Sequence, residues 1–215
     1  MKFADSVAIL KLACFIATDG GIYPKRNQVY FNSTDRKIVE EFIEVARHVG
    51  TNKVFVNRGH KCLQAYFYSK KICKEILKLI GRSKTLPLSK INNLKNKDRT
   101  EILRILFSTD GGVSFSTSRS KSDGKFRLHR KVTFTSKNFK NLVVVKKLLK
   151  ELRIESKIHE NELEIKGYKN LLRFKKLIGF LKGAKVTNKS KKWRGMDKNQ
   201  LLNVVINSYR DMRRE

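Results

Sequence analysis

Acidic residues are scarce in this chain. Nineteen Asp and Glu stand against 49 Lys and Arg across 215 residues, a formal charge of +30. Such an excess repels itself in a compact fold, and solubility alone needs a net charge of only about 2–8. It marks a polyanionic partner, with nucleic acid first and an anionic membrane surface well behind. Cysteine is scarcer still. Cys14, Cys62 and Cys73 are odd in number and have no CxxC spacing, which excludes a zinc module and points to a reducing compartment. His48, His60, His129 and His159 are scattered, and His60 lacks the partners of an HNH-like centre. Long apolar runs are missing too. Lys2 and the run after it resemble a signal peptide, but Asp5 and Lys11 interrupt a stretch far short of the ~20 residues of a membrane span. A soluble, cytoplasmic chain with no membrane partner is expected. Its 40% hydrophobic content excludes wholesale disorder, and its length supports one domain or two small ones. Only two prolines occur; with the high lysine content this fits a thermophile or an AT-rich genome equally.

What is present occurs twice. "LACFIATDGGIY", from Leu12 to Tyr23, ends an apolar run in Asp19-Gly20-Gly21; "LRILFSTDGGVS", from Leu103 to Ser114, ends one in Asp110-Gly111-Gly112. Glycine past a helix end is ordinary, but a carboxylate there faces the negative end of the helix dipole. The duplication continues. "VYFNSTDRKIVEEFIEVARHVG" precedes two strand-like runs and "KKICKEILKLIG", as "VTFTSKNFKNLVVVKKLLKELRI" precedes two more and "YKNLLRFKKLIG". Each half reads helix, hairpin, helix, hairpin, helix. The two aspartates are 91 residues apart and Ser33 and Ser136 are 103 apart, so the second copy carries about 12 extra residues in its first hairpin. The boundaries expected are residues 1–95 for the first repeat with its linker, around Pro87, 96–182 for the second, and 183–215 for a basic extension ending in a helix. Ser33-Thr34 and Ser136 suit helix N-caps, and Asp98 with Glu101 suits a capping box opening the second apolar helix.

The strands alternate with period two. Val29 and Phe31 share one face, as do Leu63, Ala65 and Phe67, and as do Phe126, Leu128, Val132 and Phe134; Arg130 breaks this last set without explanation. The opposite faces are rich in groups that grip bases and phosphates: Gln28, Tyr30, Asn32, Gln64, Tyr66 and Tyr68 in the first half, and Arg127, His129, Lys131, Thr133 and Thr135 in the second. Around them, Tyr23, Lys25, Arg26, Asn57, Arg58 and Lys61, and Ser114, Ser116, Ser118, Arg119, Lys121 and Lys125, complete the hairpins. Glu162 and Glu164 make the last hairpin the one that touches DNA least. In the extension, Lys191, Lys192 and Arg194 flank Trp193 and are read as phosphate contacts. The fold class is α+β, two pseudo-symmetric αββαββα repeats whose antiparallel sheets form a DNA-binding saddle.

The helix before Asp19 is apolar almost all round and therefore buried, and small Ala13, Cys14 and Ala17 admit a close neighbour. If the two apolar helices pack in parallel, Asp19 and Asp110 meet at the seam. Two repelling carboxylates at the wrong dipole ends call for a divalent cation, Mg²⁺ or Mn²⁺. Beside a phosphodiester, such a cation polarises the phosphate and activates water.

The doubled motif, each copy closing a helix that opens an αββαββα unit, resembles the LAGLIDADG homing endonucleases in their monomeric two-repeat form, over residues 5 to 182. Leu12–Gly20 and Leu103–Gly111 match the nine-letter motif in register. The resemblance implies a monomer making metal-dependent staggered double-strand cuts in a long DNA target. Asp19 and Asp110 would hold the metals, helped by the carbonyls of Thr18 and Thr109. Around them the implied polar and basic set is Ser33 with Lys37, Ser136 with Lys140, and Lys70 and Lys166. Serine stands at 33 and 136 where the family has Gln or Lys, and Ile105, beside Arg104, stands where the motif favours glycine. The rival is a non-cleaving protein on the same fold, an intron-RNA maturase or a DNA-binding regulator. A ribosomal RNA-binding protein explains the charge but not the doubled acids. "GIY" at Gly21–Tyr23 resembles a motif of another nuclease family but has no YIG partner.

Overall fold

The computed structural model describes residues 3–51, 53–59, 62–119, 122–187, 190 and 192–211. His60, Lys61, Lys121 and Lys191 lie outside the described residues.

The first apolar run forms α1 (Phe3–Ala17). Leu12, Ala13, Cys14 and Phe15 within it are wholly buried, as an all-round apolar helix requires. The chain then turns at the glycine pair into β1 (Gly20–Tyr23) and β2 (Gln28–Ser33), followed by α2 (Arg36–His48), β3 (Phe55–Arg58), β4 (Leu63–Tyr68) and α3 (Lys70–Ile80). After a short helix α4 (Leu88–Asn92), the second repeat runs α5 (Asn96–Thr109), β5 (Gly111–Arg119), β6 (Phe126–Thr135), α6 (Phe139–Glu151), β7 (Lys157–His159), β8 (Glu162–Lys166) and α7 (Tyr168–Leu177). The last helix is α8 (Lys198–Asp211).

Two four-stranded antiparallel sheets result, ordered β1-β2-β4-β3 and β5-β6-β8-β7, the same topology twice. The registers confirm the alternation. Val29 faces Phe67 and Phe31 faces Ala65 across β2 and β4, and all four are buried. The extra length of the second copy lies where the spacing puts it: β5 and β6 have nine and ten residues against four and six in β1 and β2.

The motif helices pack on each other. Lys11, eight residues before Asp19, pairs with Glu101, nine before Asp110, so the helices run side by side in the same direction. Ile105 is buried in this seam, and Arg104 turns away to donate from Nε to the Ile178 carbonyl at 2.7 Å, tying α5 to the end of α7.

Four sequence readings are corrected. The N-cap of α2 is Asp35 and that of α6 is Asn138, each accepting from the main-chain N–H two residues on. Ser33 and Ser136 instead accept from the Asp35 and Asn138 N–H groups at 3.1 and 3.2 Å. The motif is thus a serine turn feeding an Asx cap two residues after the serine. No capping box opens α5: the helix starts at Asn96, and Glu101 serves the ion pair with Lys11. The linker is no loose connection. Leu86, Ile91 and Leu94 are buried in the core, and Asn141 of α6 grips the linker's main chain at Lys84 and Leu86. Phe126, assigned to the apolar face, is 76% exposed because the long hairpin projects beyond the core.

The extension explains Arg130. It packs α8 against the inner face of β5, so Arg130 is buried beneath it. Its Nε and Nη2 donate to the Ser208 hydroxyl (2.9 Å) and carbonyl (3.0 Å), and its guanidinium lies 4.2 Å over the Tyr209 ring. Trp193 stacks on Phe115 of the same face and donates from Nε1 to the Phe115 carbonyl at 2.9 Å.

Candidate metal centre and nucleic-acid interface

The two acidic helix ends are built alike. Asp19 and Asp110 follow α1 and α5, and each main-chain carbonyl ties the helix end to the neighbouring strand: Asn32 N–H donates to Asp19 O at 3.2 Å, and Thr135 N–H to Asp110 O at 3.0 Å. Thr18 and Thr109 fold their hydroxyls back onto carbonyls of their own helices. A side chain from the extension reaches the end of α5, in the cleft that Asp19 and Thr109 also line. Lys198, 3% exposed, sends its ammonium into the seam and donates to the carbonyls of Ser108 (2.7 Å) and Gly111 (2.8 Å). Burial pushes its pKa down to about 8, against the pull of Asp35, Asp110 and Asp19, all within electrostatic reach. Asp19 and the last residues of α5, which lead into Asp110, therefore share one cleft with the Lys198 ammonium. A cleft of about 260 Å³ opens beside it, lined by Asp19, Ser33, Asp35, Thr109, Lys185 and Lys198 among others.

A segment of the extension lines this cleft through Lys185 and Thr187. The Lys185 N–H donates to Asp35 Oδ2 at 2.6 Å, while Asp35 Oδ1 holds the Lys37 N–H at 2.9 Å. Asp197 accepts from Gly183 N–H with Oδ2 and from Asn199 N–H with Oδ1, fixing the start of α8 and with it Lys198.

Among the described residues no group of three or more His, Cys, Asp or Glu is placed to hold a metal ion. The donor chemistry at the seam nonetheless fits a hard cation. The ammonium there is held by main-chain oxygens with carboxylates around it, the ligand types that Mg²⁺ and Mn²⁺ take.

The residues that the family resemblance implies around the acids are spread more widely. Lys37 is exposed and pairs with Glu40 at 2.8 Å. Lys140 is exposed on α6, and Lys70 is exposed at the start of α3. Lys166, at the end of β8, is drawn into an ion cluster with Glu164, Lys131 and His159. Lys131 also holds Glu162 at 2.7 Å. Burial alone would push the Glu164 carboxyl up; hydrogen bonds from Lys131 and Lys166 overcome this and hold it at about 2. A depressed carboxyl stabilises the fold above its unfolded value near 4.5 and loses that contribution as pH falls through 2. Thermal unfolding followed from pH 5 to pH 2 will show a loss of about 2–3 kcal/mol from this group. Glu164→Gln will flatten that part of the curve, and an unchanged slope would remove the cluster's role.

The outer faces of the two sheets differ. On the first, Tyr23 stacks on Tyr30 (4.9 Å between ring centroids), Phe55 stacks on Tyr66 (5.2 Å), and Tyr68 meets both Phe55 and Tyr66 edge-on. Gln64 donates to Asn32 Oδ1 at 2.9 Å. Asn57, Arg58, Lys25 and Arg26 are exposed beside them, whereas Gln28 is only 8% exposed. The second face is hydroxylic and basic. Ser114, Ser116 and Ser118 lie opposite Lys131, His129 and Arg127, with Thr133 and Thr135 further along β6. The Ser118 hydroxyl and His129 Nε2 are 2.6 Å apart. At the hairpin tip Arg119 donates to the Gly124 carbonyl, and Asp123 accepts from Lys125 N–H and Arg127. Lys192 and Arg194 are exposed beside Trp193, on the extension that covers the opposite side of this sheet.

Sequence reasoning missed Asp35 and Lys198. A signal existed for the first, since Asp35 and Asn138 keep the 103-residue offset of Ser33 and Ser136. None existed for the second, whose contacts span 87 and 90 residues.

Residues 98–179 match the family model of the LAGLIDADG-like domain. No curated protein matches the chain. Among solved structures, I-DmoI in complex with DNA and Ca aligns with a TM-score of 0.59 at 16% identity, over 81% of this chain and 90% of that one. The homing endonuclease I-WcaI bound to its DNA recognition sequence aligns at 0.52 and 16%, over 83% of each. Full-length DUF199/WhiA from Thermatoga maritima aligns at 0.57 and 16%, over 97% of this chain but 62% of that protein. With two sheets of identical topology, paired motif helices and a family match in its second half, the chain carries the two-repeat LAGLIDADG fold.

Proposed function

We propose that this chain is a sequence-specific homing endonuclease, a monomer that makes staggered double-strand cuts in a long DNA site with Mg²⁺ or Mn²⁺. The observation that supports the reading is the packing of the two motif helices, with Asp19 lining one cleft with Ser108 and Thr109 at the end of α5, next to Asp110. Structural neighbours seen with DNA and Ca or Mn support it. Asp19 and Asp110 would hold the divalent ion, with the Thr18 and Thr109 carbonyls beside them. When bound, it supplies charge neutralisation at the scissile phosphate and an acidified water. The protein's own part is placement. The helix pair fixes the two carboxylates, and the caps at Asp35 and Asn138 set α2 and α6, which present Lys37 and Lys140 at their first turns. The sheet faces carry the readout: Arg127, His129, Lys131 and the serines of β5 facing base edges and phosphates, and Asn32 and Gln64 facing bases on the other side. The lysine excess supplies most of the affinity, so binding weakens steeply with salt.

The test is to incubate DNA of the intronless host locus with protein and Mg²⁺ or Mn²⁺. Staggered linear product supports the reading; binding without cleavage in either metal refutes it. One observation favours a second reading, an intron-RNA maturase or a DNA-binding regulator. The first sheet presents Tyr23, Tyr30, Phe55, Tyr66 and Tyr68 outward, and aromatic faces suit unpaired bases. Tighter binding of folded intron RNA than of duplex DNA, without cleavage, would establish it.

A further inference from the structure

The feature with no counterpart in the repeated architecture is the cation inside the acidic seam. Asp19 and Asp110 are pseudo-symmetry mates, yet the lysine that sits on the carbonyls flanking Asp110, in the cleft lined by Asp19, comes from one extension and breaks that symmetry. Lys198 is 3% exposed and satisfied by two main-chain carbonyls at the end of α5. Its position is set from both sides, by Asp197 gripping Gly183 and Asn199, and by Asp35 gripping Lys185. A flexible surface lysine could swing aside for an incoming metal ion. This one is built in, because leaving the seam would strip a buried carbonyl and a half-buried one of this donor.

We propose that Lys198 is a resident cation of the metal centre, and that it limits the seam to one divalent ion. Asp19 and Asp35 line the cleft that Lys198 enters, and Asp110 stands in the chain between the two carbonyls that hold the ammonium. Three negative charges and one positive leave two, the complement of a single Mg²⁺. A second divalent ion would have to sit within a few ångströms of a fixed positive charge, in a setting where such repulsion is poorly screened. Lys198 is therefore a positioning residue, and the extension is a working part of the centre rather than an appendage. The inference rests on the proposed metal-dependent activity, and it assigns no proton transfer to the lysine.

The experiment is a Mn²⁺ titration of the full chain without DNA, read by loss of the free-ion paramagnetic resonance signal and by calorimetry. The unsubstituted chain is expected to bind one Mn²⁺, and two or more tight ions in it would overturn the proposal with no variant needed. Lys198→Gln keeps an amide donor for the carbonyls but removes the charge, and Lys198→Met removes both. Either should admit a second ion or tighten the first about tenfold or more, whereas Lys198→Arg should behave like the parent. Equal number and affinity in parent and neutral variants, with melting curves showing all of them folded, would overturn the inference and leave the metal centre standing. Absence of any Mn²⁺ binding, in parent and variants alike, would bring down the metal-dependent reading together with it.

Discussion

Asp19→Asn and Asp110→Asn each reduce linear DNA product at least about a thousandfold while leaving DNA binding intact. Asparagine preserves the shape of aspartate and removes one formal charge, so a variant isolates the electrostatic role. A divalent ion at the seam draws its ligands from two helix ends, and losing one carboxylate weakens its hold and its orientation together. Losses of several kcal/mol in transition-state stabilisation are usual when such a charge is removed. Stability should change little. Both residues follow helix C-termini, where a negative charge is unfavourable by about 0.3–1 kcal/mol, and relief of this offsets the lost attraction to the buried Lys198 ammonium, so melting temperatures hold. Binding in the absence of metal should hold or tighten, since one negative charge fewer faces the phosphates. Cleavage of supercoiled plasmid, gel-shift titration and melting curves read the three effects separately. Survival of cleavage in either variant would refute a shared centre.

This expectation comes from the sequence almost entirely, and the reason is local. An aspartate at the end of an all-apolar helix is anomalous in any twelve-residue window, and its repetition 91 residues later makes the anomaly informative. Strand faces were equally legible, because period-two alternation is a property of neighbours. Val29, Phe31, Ala65 and Phe67 are all buried as the pattern demands. Readings failed where a residue's environment is supplied from far away. Arg130 looked like an error in an apolar face until Ser208 and Tyr209 came to cover it, 78 and 79 residues on. Gln28 alternates outward yet is buried, on an interior strand between Tyr23 and Tyr68. Lys198 opens a helix whose sequence is plain, and nothing nearby marks it as the donor to carbonyls 87 and 90 residues away. Asp35 lies between these cases. It is a local cap for α2, which the serine beside it masked, and also a distant anchor for the extension.

The same contrast between local and distant constraint decides which glycine of each pair is indispensable. Gly111→Ala should destabilise the protein by about 3 kcal/mol, a fall of about 6–12 °C in melting temperature for a chain of this size, and should abolish cleavage. A Cβ at Gly111 would sit 2.5 Å from the Phe107 carbonyl oxygen, 2.8 Å from the Phe107 Cα and 2.8 Å from the Thr133 carbonyl oxygen. All three are backbone atoms, one set on α5 and the other on β6, so no side-chain rotation relieves the overlap. Relief requires the helix end to lift from the sheet, and Asp110 and the Gly111 carbonyl that holds Lys198 move with it. Gly20 is confined in the corresponding way, 2.7 Å from the Tyr30 carbonyl oxygen and 2.9 Å from the Ile16 Cα, but its nearest neighbour, the Ile16 Cδ1 at 2.6 Å, can rotate aside. Gly20→Ala should therefore be damaging but milder. Gly112 is the control. Its nearest neighbour would be the Thr133 hydroxyl at 3.9 Å, and alanine there should shift stability by less than about 1 kcal/mol with cleavage retained. The comparison separates loss of the motif's close helix-to-sheet approach from loss of glycine as such. If Gly111→Ala and Gly112→Ala prove equally mild in melting temperature and cleavage, the motif is not the rigid junction between helix and sheet on which the placement of both acids depends.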